Sequence, residues 1–151
     1  MKAIFLKTNL LIAFFSLFLL SVGCQAQQET GPDKSPATVA APLERVQLIS
    51  PAEASKLMAT DARMQILDVR TPEEVADGMI KGATAINWFD ADFAAKAEAT
   101  FDKALPVIVY CKVGGRSAQA SEVLRTRGFA TVYNIQDGFV RWKSEGHPVQ
   151  K

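Results

Sequence analysis

Cysteine and histidine are scarce in this chain of 151 residues: Cys24 and Cys111 are its two cysteines and His147 its one histidine. Two cysteines allow at most one disulfide, which excludes a disulfide-built scaffold. A single histidine excludes a multi-histidine metal site or a histidine relay. Charge of one sign is missing too, with 17 Lys and Arg against 16 Asp and Glu. The basic excess that nucleic-acid binding requires is therefore absent, and no nucleic-acid partner is expected. The length suits one domain rather than two. The conspicuous chemical resource that remains is a thiol.

Hydrophobic residues make up 48% of the chain, but much of that share is concentrated at the front. Met1 to Lys7 carries two lysines, and Leu10 to Val22 is almost unbroken Leu, Ile, Phe and Ala. The run falls short of the roughly 20 apolar residues that cross a bilayer, and Ser21, Gly23, Cys24 and Gln25 follow at once. Residues 1–23 are read as a secretory signal peptide. Leu20-Ser-Val-Gly-Cys24 resembles a bacterial lipobox, whose cysteine is diacylated and becomes the mature N-terminus, so Cys24 is the candidate lipidation site. Ser21 stands where that pattern prefers Leu. Cleavage near Ala26 is the alternative and would leave a soluble periplasmic protein. The expected location is the periplasm, with a lipid anchor to the membrane under the first reading. An acylated Cys24 cannot pair with Cys111, which leaves the second thiol free in an oxidising compartment.

Residues 24–45 are rich in Gln, Pro, Ala, Thr and Ser without apolar periodicity, and are read as a disordered tether. Loss of residues 1–23 removes Lys2 and Lys7, leaving 15 basic and 16 acidic residues. Net charge therefore identifies no partner.

From Val46 onward strands and helices alternate. Val46 to Ile49 reads as a strand, and Ser50-Pro-Ala-Glu53 starts a helix with an N-cap hydroxyl, a proline at the first position and a glutamate at the third. Thr71-Pro-Glu-Glu74 repeats the device after the strand of Met64 to Arg70. Ala83 to Asn87 is a weaker strand, and Asp90 to Phe101 is helical. Pro106-Val-Ile-Val-Tyr110 is continuous and β-branched, as in a strand covered on both faces. A helix over Arg116 to Arg127, a strand over Thr131 to Ile135 and a helix over Gly138 to Ser144 complete the pattern. The alternation predicts an α/β domain over residues 46–149, a central parallel sheet with helices on both faces. Sites in such sheets gather beyond the carboxyl ends of the strands, and Cys111 sits at one of those ends.

The segment Tyr110-Cys-Lys-Val-Gly-Gly-Arg-Ser117 joins that strand to a helix. Gly114 and Gly115 let the backbone curl tightly with no Cβ in the way. Successive amides of Lys112, Val113, Gly114, Gly115 and Arg116 then converge as an anion-binding nest. With Arg116 and Lys112 near, that environment should depress the Cys111 pKa and populate the thiolate. A thiolate in an anion cradle is a nucleophile aimed at an anionic substrate. A free cysteine is more commonly a small buried hydrophobe, but the two glycines, the arginine and the serine in one turn favour function.

Residues 46–149 resemble a single rhodanese domain, a family of sulfurtransferases. The resemblance is carried in order by Asp68-Val-Arg-Thr-Pro-Glu-Glu74, Gly78-Met-Ile-Lys-Gly-Ala83 with Ile86-Asn87, the Cys111 loop, Leu124-Arg-Thr-Arg-Gly-Phe129, Val132-Tyr-Asn-Ile135, Asp137-Gly-Phe-Val-Arg-Trp142 and Gly146-His-Pro-Val149. It implies that Cys111 carries sulfur. Met79 stands where the family often has His, and Asp137 where a second Gly is common. Sulfurtransferases of this fold are similar in having six residues from Cys through Arg, as Cys111 to Arg116 has, whereas related phosphatases use seven.

The resemblance implies a thiosulfate-type sulfurtransferase. Cys111 is the catalytic residue, Lys112, Val113, Gly114, Gly115 and Arg116 bind the sulfur and its anionic donor, and no cofactor or metal is required. The expected partners are a small anionic sulfur donor and a thiol or cyanide-like acceptor, met by a monomer. A non-catalytic rhodanese-type binding module is the alternative, although its usual mark is a damaged loop. A phosphatase or arsenate reductase of the same fold is disfavoured by the loop length.

Other residues read more simply. Asp68 and Arg70 could border the site or form a bracing ion pair. Phe139 and Trp142 are spaced as core. Glu73, Glu74 and Asp77 read as a solvated helix start, and His147 as a surface residue.

Overall fold

A computed structural model describes residues 45–151. The signal peptide, the Cys24 lipidation site and the tether up to residue 44 lie outside the described residues. The elements are β1 Gln47–Ile49, α1 Pro51–Thr60, β2 Gln65–Asp68, α2 Pro72–Ala76, β3 Met79–Ile80, β4 Thr84–Ala85, α3 Phe93–Thr100, β5 Val107–Tyr110, α4 Gly115–Thr126, β6 Val132–Ile135, α5 Gly138–Ser144 and β7 Val149–Gln150.

Five strands form one sheet in the order β1-β6-β5-β2-β4, and every pairing in it is parallel. The expected α/β architecture is the one found. β5 lies at the centre, which explains its unbroken apolar sequence: Val107, Ile108, Val109 and Tyr110 are all fully buried. Successive side chains of a strand point to opposite faces. Leu67, Val107 and Val109 thus join one core with Phe93 and Ala97 of α3 and Ala120 and Leu124 of α4. Ile66, Ile108 and Tyr110 join the other with Ala54 of α1 and Phe139 and Trp142 of α5. Helices cover both faces.

The helix starts follow the capping chemistry in the sequence. The Glu53 carboxylate accepts from the Ser50 amide at 2.8 Å, and the Ser50 hydroxyl oxygen accepts from the Glu53 amide at 3.2 Å. At α2 the Glu74 carboxylate accepts from the Thr71 amide at 3.1 Å. Because the sheet is parallel, the helices that follow β2, β5 and β6 all begin at its carboxyl edge. The starts of α2, α4 and α5 therefore meet around the end of β5.

The sequence pattern does not predict the second sheet, an antiparallel pair of β3 with β7. Two-residue strands are too short to show a period of two. The pairing brings Met79 opposite Gln150 and Ile80 opposite Val149, tying the C-terminus across the domain. The fourth strand is shorter than the expected Ala83 to Asn87, since Ile86 and Trp88 leave the ladder to bond singly to Asp68 and Val69 carbonyls.

Candidate active site

Cys111 is the residue after β5, and its side chain falls on the face covered by α4. It is a free thiol, only 1% exposed. The chain turns immediately after it. Gly114 has φ +95°, a left-handed conformation that side-chain-bearing residues rarely adopt, and the turn aims the Gly114 amide at the Cys111 Sγ, 3.1 Å away. Burial alone would raise the thiol pKa. The Ser117 hydroxyl and the amides of Ser117, Val113 and Gly114 outweigh it and hold Cys111 below the ordinary thiol range. The Gly115 and Arg116 amides are the first two donors of α4, for which the helix itself supplies no acceptor.

The orientation of the loop is imposed from α5. The Phe139 amide donates to the Cys111 carbonyl at 2.8 Å and the Val140 amide to the Lys112 carbonyl at 3.0 Å. In a trans peptide the carbonyl and the amide N–H point in opposite directions. Pinning these two carbonyls to α5 therefore turns the Lys112 and Val113 amides the other way, which for Val113 is toward the sulfur. Gly138 makes the approach feasible. A Cβ there would collide with the Cys111 carbonyl oxygen and lie 2.9 Å from the Lys112 carbonyl carbon and oxygen.

A chain of ion pairs holds the other side. Asp68 and Arg70 form a buried pair at 2.6 Å, and Arg70 also donates to the Glu74 and Gly78 carbonyls at 2.9 and 2.7 Å. Its guanidinium lies 3.9 Å from the Phe139 ring centre. Asp68 and Arg70 form the bracing pair, and Arg70 also lines a small cavity beside Lys112, so it borders the loop as well. Arg70 fixes the Glu74 backbone, and the Glu74 side chain in turn takes Arg116 at 2.8 Å. Burial would raise the Glu74 carboxyl, but the Thr71 amide and the Arg116 and Lys112 charges hold it below the usual carboxylate range. Glu74 is therefore no solvated helix-start residue, because α2 docks beside the loop and gives it a cation to face. Asp77 stays exposed, as a solvated helix-start acid would, at the rim of that small cavity of about 80 Å³, which Lys112 and Lys143 also line.

Lys112 and Val113 are exposed at the mouth, Val113 to 63%. Arg116 is directed to Glu74 and lies 5.6 Å from the centre of the exposed Phe89 ring. Phe139 and Trp142 are core, as their spacing suggests. His147 is not an open surface side chain: its ring packs 4.6 Å from that of Trp142, because β7 draws the C-terminal segment back over α5. Among the described residues no three metal-ligating side chains converge. Two larger cavities, of about 500 and 490 Å³, touch none of residues 111–117.

The sequence assigns no site role to Glu74 or Gly138, and it counts Ser117 in the functional turn without giving its hydroxyl a role. That role could have been found from a hydroxyl in the first turn of the helix that opens beside the cysteine. The signal for Glu74 was its place in the shared motif. Nothing local marks Gly138, whose constraint comes from another element.

The rhodanese-like domain model matches residues 50–145. Over 97 residues the chain is 39% identical to the thiosulfate sulfurtransferase GlpE of Pseudomonas entomophila, covering 64% of this chain and 84% of that one. A rhodanese-like domain protein from Staphylococcus aureus superposes with a TM-score of 0.60 at 29% identity, covering 70% of this chain and all of the other. A Rhodopseudomonas palustris protein described as a possible tyrosine phosphatase superposes with a TM-score of 0.58 at 29% identity, over 70% of this chain and 85% of its own. With its buried thiol at the head of an intact loop and its parallel sheet, this chain belongs to the rhodanese-like domain family, among relatives that include sulfurtransferases.

Proposed function

We propose that the protein is a thiosulfate-type sulfurtransferase that moves a sulfane sulfur through a Cys111 persulfide to a thiophilic acceptor. The Cys111 thiolate attacks the outer sulfur of thiosulfate. A bond forms from Sγ to that sulfur, the sulfur–sulfur bond of the donor breaks, and its electron pair leaves with sulfite. The total charge is the same on both sides, and no outside oxidant takes part. The acceptor then attacks the outer sulfur of the persulfide and releases the Cys111 thiolate. In this reading the amides of Lys112, Val113, Gly114, Gly115 and Arg116 hold the anionic sulfur, Lys112 attracts the donor at the mouth, and Arg116, paired with Glu74, keeps the loop closed.

The observation that carries the reading is the buried Cys111 Sγ with the Gly114 amide at 3.1 Å in an undamaged loop of the shorter kind. That loop disfavours a binding module without turnover. The resemblance to a protein described as a possible tyrosine phosphatase gives the competing reading, in which the same thiolate attacks a phosphate ester. Assaying thiosulfate against an aryl phosphate separates the two. The sulfurtransferase reading predicts turnover of thiosulfate with cyanide by ping-pong kinetics, and transfer that vanishes in Cys111→Ser. Hydrolysis of the aryl phosphate without sulfur transfer would reverse the assignment.

Export belongs to the same proposal: the N-terminal signal would place the domain in the periplasm, on a lipid anchor if Cys24 is acylated. Intact-mass measurement on protein extracted from membranes reads the acyl chains directly. A mature form beginning near residue 26 would remove the anchor.

A further inference from the structure

We propose that the small cavity between α2 and α5 is a second anion site, separate from the Cys111 cradle, that takes a doubly charged oxyanion of sulfate size and slows sulfur loading when filled. The site stands on its own residues, and its effect on loading rests on the sulfurtransferase reading above.

Three cations line the cavity: Arg70 from beyond β2, Lys112 from the cysteine loop and Lys143 from α5. Two of them share one aromatic ring, the Arg70 guanidinium carbon lying 3.9 Å and the Lys143 Nζ 5.1 Å from the Phe139 ring centre. Like charges gathered this closely repel. The acids nearby are already spent or exposed. Asp68 answers Arg70 at 2.6 Å and Glu74 answers Arg116 at 2.8 Å. Among the described residues neither Lys112 nor Lys143 forms an ion pair. Asp77, exposed at the rim, is the one acid left at the cavity for two lysines. Arg70 adds a donor. Asp68 and the Gly78 and Glu74 carbonyls take four of its five N–H groups. The fifth, on Nη1, meets no acceptor among the described residues, in a side chain that is 3% exposed. A buried donor without an acceptor is destabilising, and an oxyanion supplies one.

The volume sets the class of ligand. About 80 Å³ is the share of a few water molecules, at roughly 30 Å³ each. It lies far below the roughly 300 Å³ at which pockets for organic ligands begin. A compact oxyanion fits, and its several oxygens match donors arriving from three parts of the fold. The cavity lies on the α5 side of the loop, bordered by Lys112 and not by Cys111, whereas the Cys111 side chain packs with Ala120 and Leu124 of α4. Both sites can therefore be filled together. A dianion beside Lys112 offsets the charge that draws a thiosulfate dianion to the mouth, which lowers the loading rate. Sulfite, released at each loading, is an anion of the same class, so the site gives the reaction a brake by its own product.

The test separates the two sites by filling the first. The protein is loaded with sulfur on Cys111 by thiosulfate, and bound sulfate is measured by equilibrium dialysis with radiolabelled sulfate at constant ionic strength. One sulfate per chain is expected, with a dissociation constant raised at least about tenfold in Lys143→Gln. Thermal unfolding verifies that this variant, changed at an exposed position, remains folded. Loading rates are then compared in sulfate and in chloride at equal ionic strength. In chloride, Lys143→Gln should load within about twofold of the parent rate, and sulfate should slow the parent about threefold more than the variant. No sulfate on the loaded protein, or equal binding by both proteins, overturns the site. Equal slowing of both proteins overturns the brake, because sulfate then competes at the cradle alone. The difference in sulfate binding between the two proteins is read whether or not Cys111 carries sulfur. A parent protein that takes no sulfur onto Cys111 therefore overturns the sulfurtransferase reading and the brake, while the binding difference still decides the site.

Discussion

The Glu74 carboxylate and the Arg116 guanidinium meet at 2.8 Å across 42 positions of sequence. The contact joins the start of α2 to the last residue of the cysteine loop. Glu74→Gln keeps the shape and removes the charge. We expect roughly tenfold lower transfer activity with about 1 kcal/mol lost from stability, since the pair is only partly shielded from water. Thiosulfate kinetics and denaturant unfolding measure the two effects. An unchanged kcat/KM would show that Arg116 does not depend on this anchor.

The same pair has a pH signature. The folded Glu74 pKa lies below the ordinary glutamate value of 4.5, so its stabilisation is fully present above that value and fades as pH falls through the lowered one. Unfolding free energy measured from pH 6 downward should fall less steeply in Glu74→Gln than in the parent protein. Parallel profiles would remove Glu74 from the acid transition.

Gly138 stands where a Cβ would strike the backbone of Cys111 and Lys112. Backbone cannot rotate aside as a side chain does, so Gly138→Ala must push α5 away and release the two carbonyls it pins. The expected result is loss of about 2–4 kcal/mol and a rise in the Cys111 pKa, followed by thiolate absorbance in the ultraviolet. A folded Gly138→Ala protein with an unshifted thiol would refute the role given to α5.

Asp137 is the one non-glycine residue with positive φ among the described residues, at +58°. The family commonly has Gly here, and the conformation explains why. Asp137→Gly should stabilise the domain by about 1 kcal/mol. The exposed Asp137–Arg141 pair at 3.2 Å that it removes is worth little. A lowered melting temperature would contradict this.

Much of the fold was legible because its signals are local. The Ser50–Glu53 capping box, the Thr71-Pro-Glu-Glu74 start and the β-branched run before Cys111 each carry their own physics within a few residues. The cysteine loop was legible for the same reason, with glycine, arginine and thiol adjacent in sequence. The supports of that loop were not. Glu74 reads as a helix-start acid until α2 is placed against Arg116, and Gly138 reads as an ordinary helix start until α5 is docked on the Cys111 carbonyl. β3 and β7 have two residues each, fewer than a periodicity needs. What escaped the sequence is what depends on two distant segments meeting.

The most direct test of the account is intact-mass analysis of the folded protein after treatment with thiosulfate, compared with Cys111→Ser. The account predicts a gain of one sulfur atom that maps to Cys111, is removed by cyanide with release of thiocyanate, and never forms in Cys111→Ser. A folded protein with a reactive Cys111 thiolate that takes up no sulfur would contradict it.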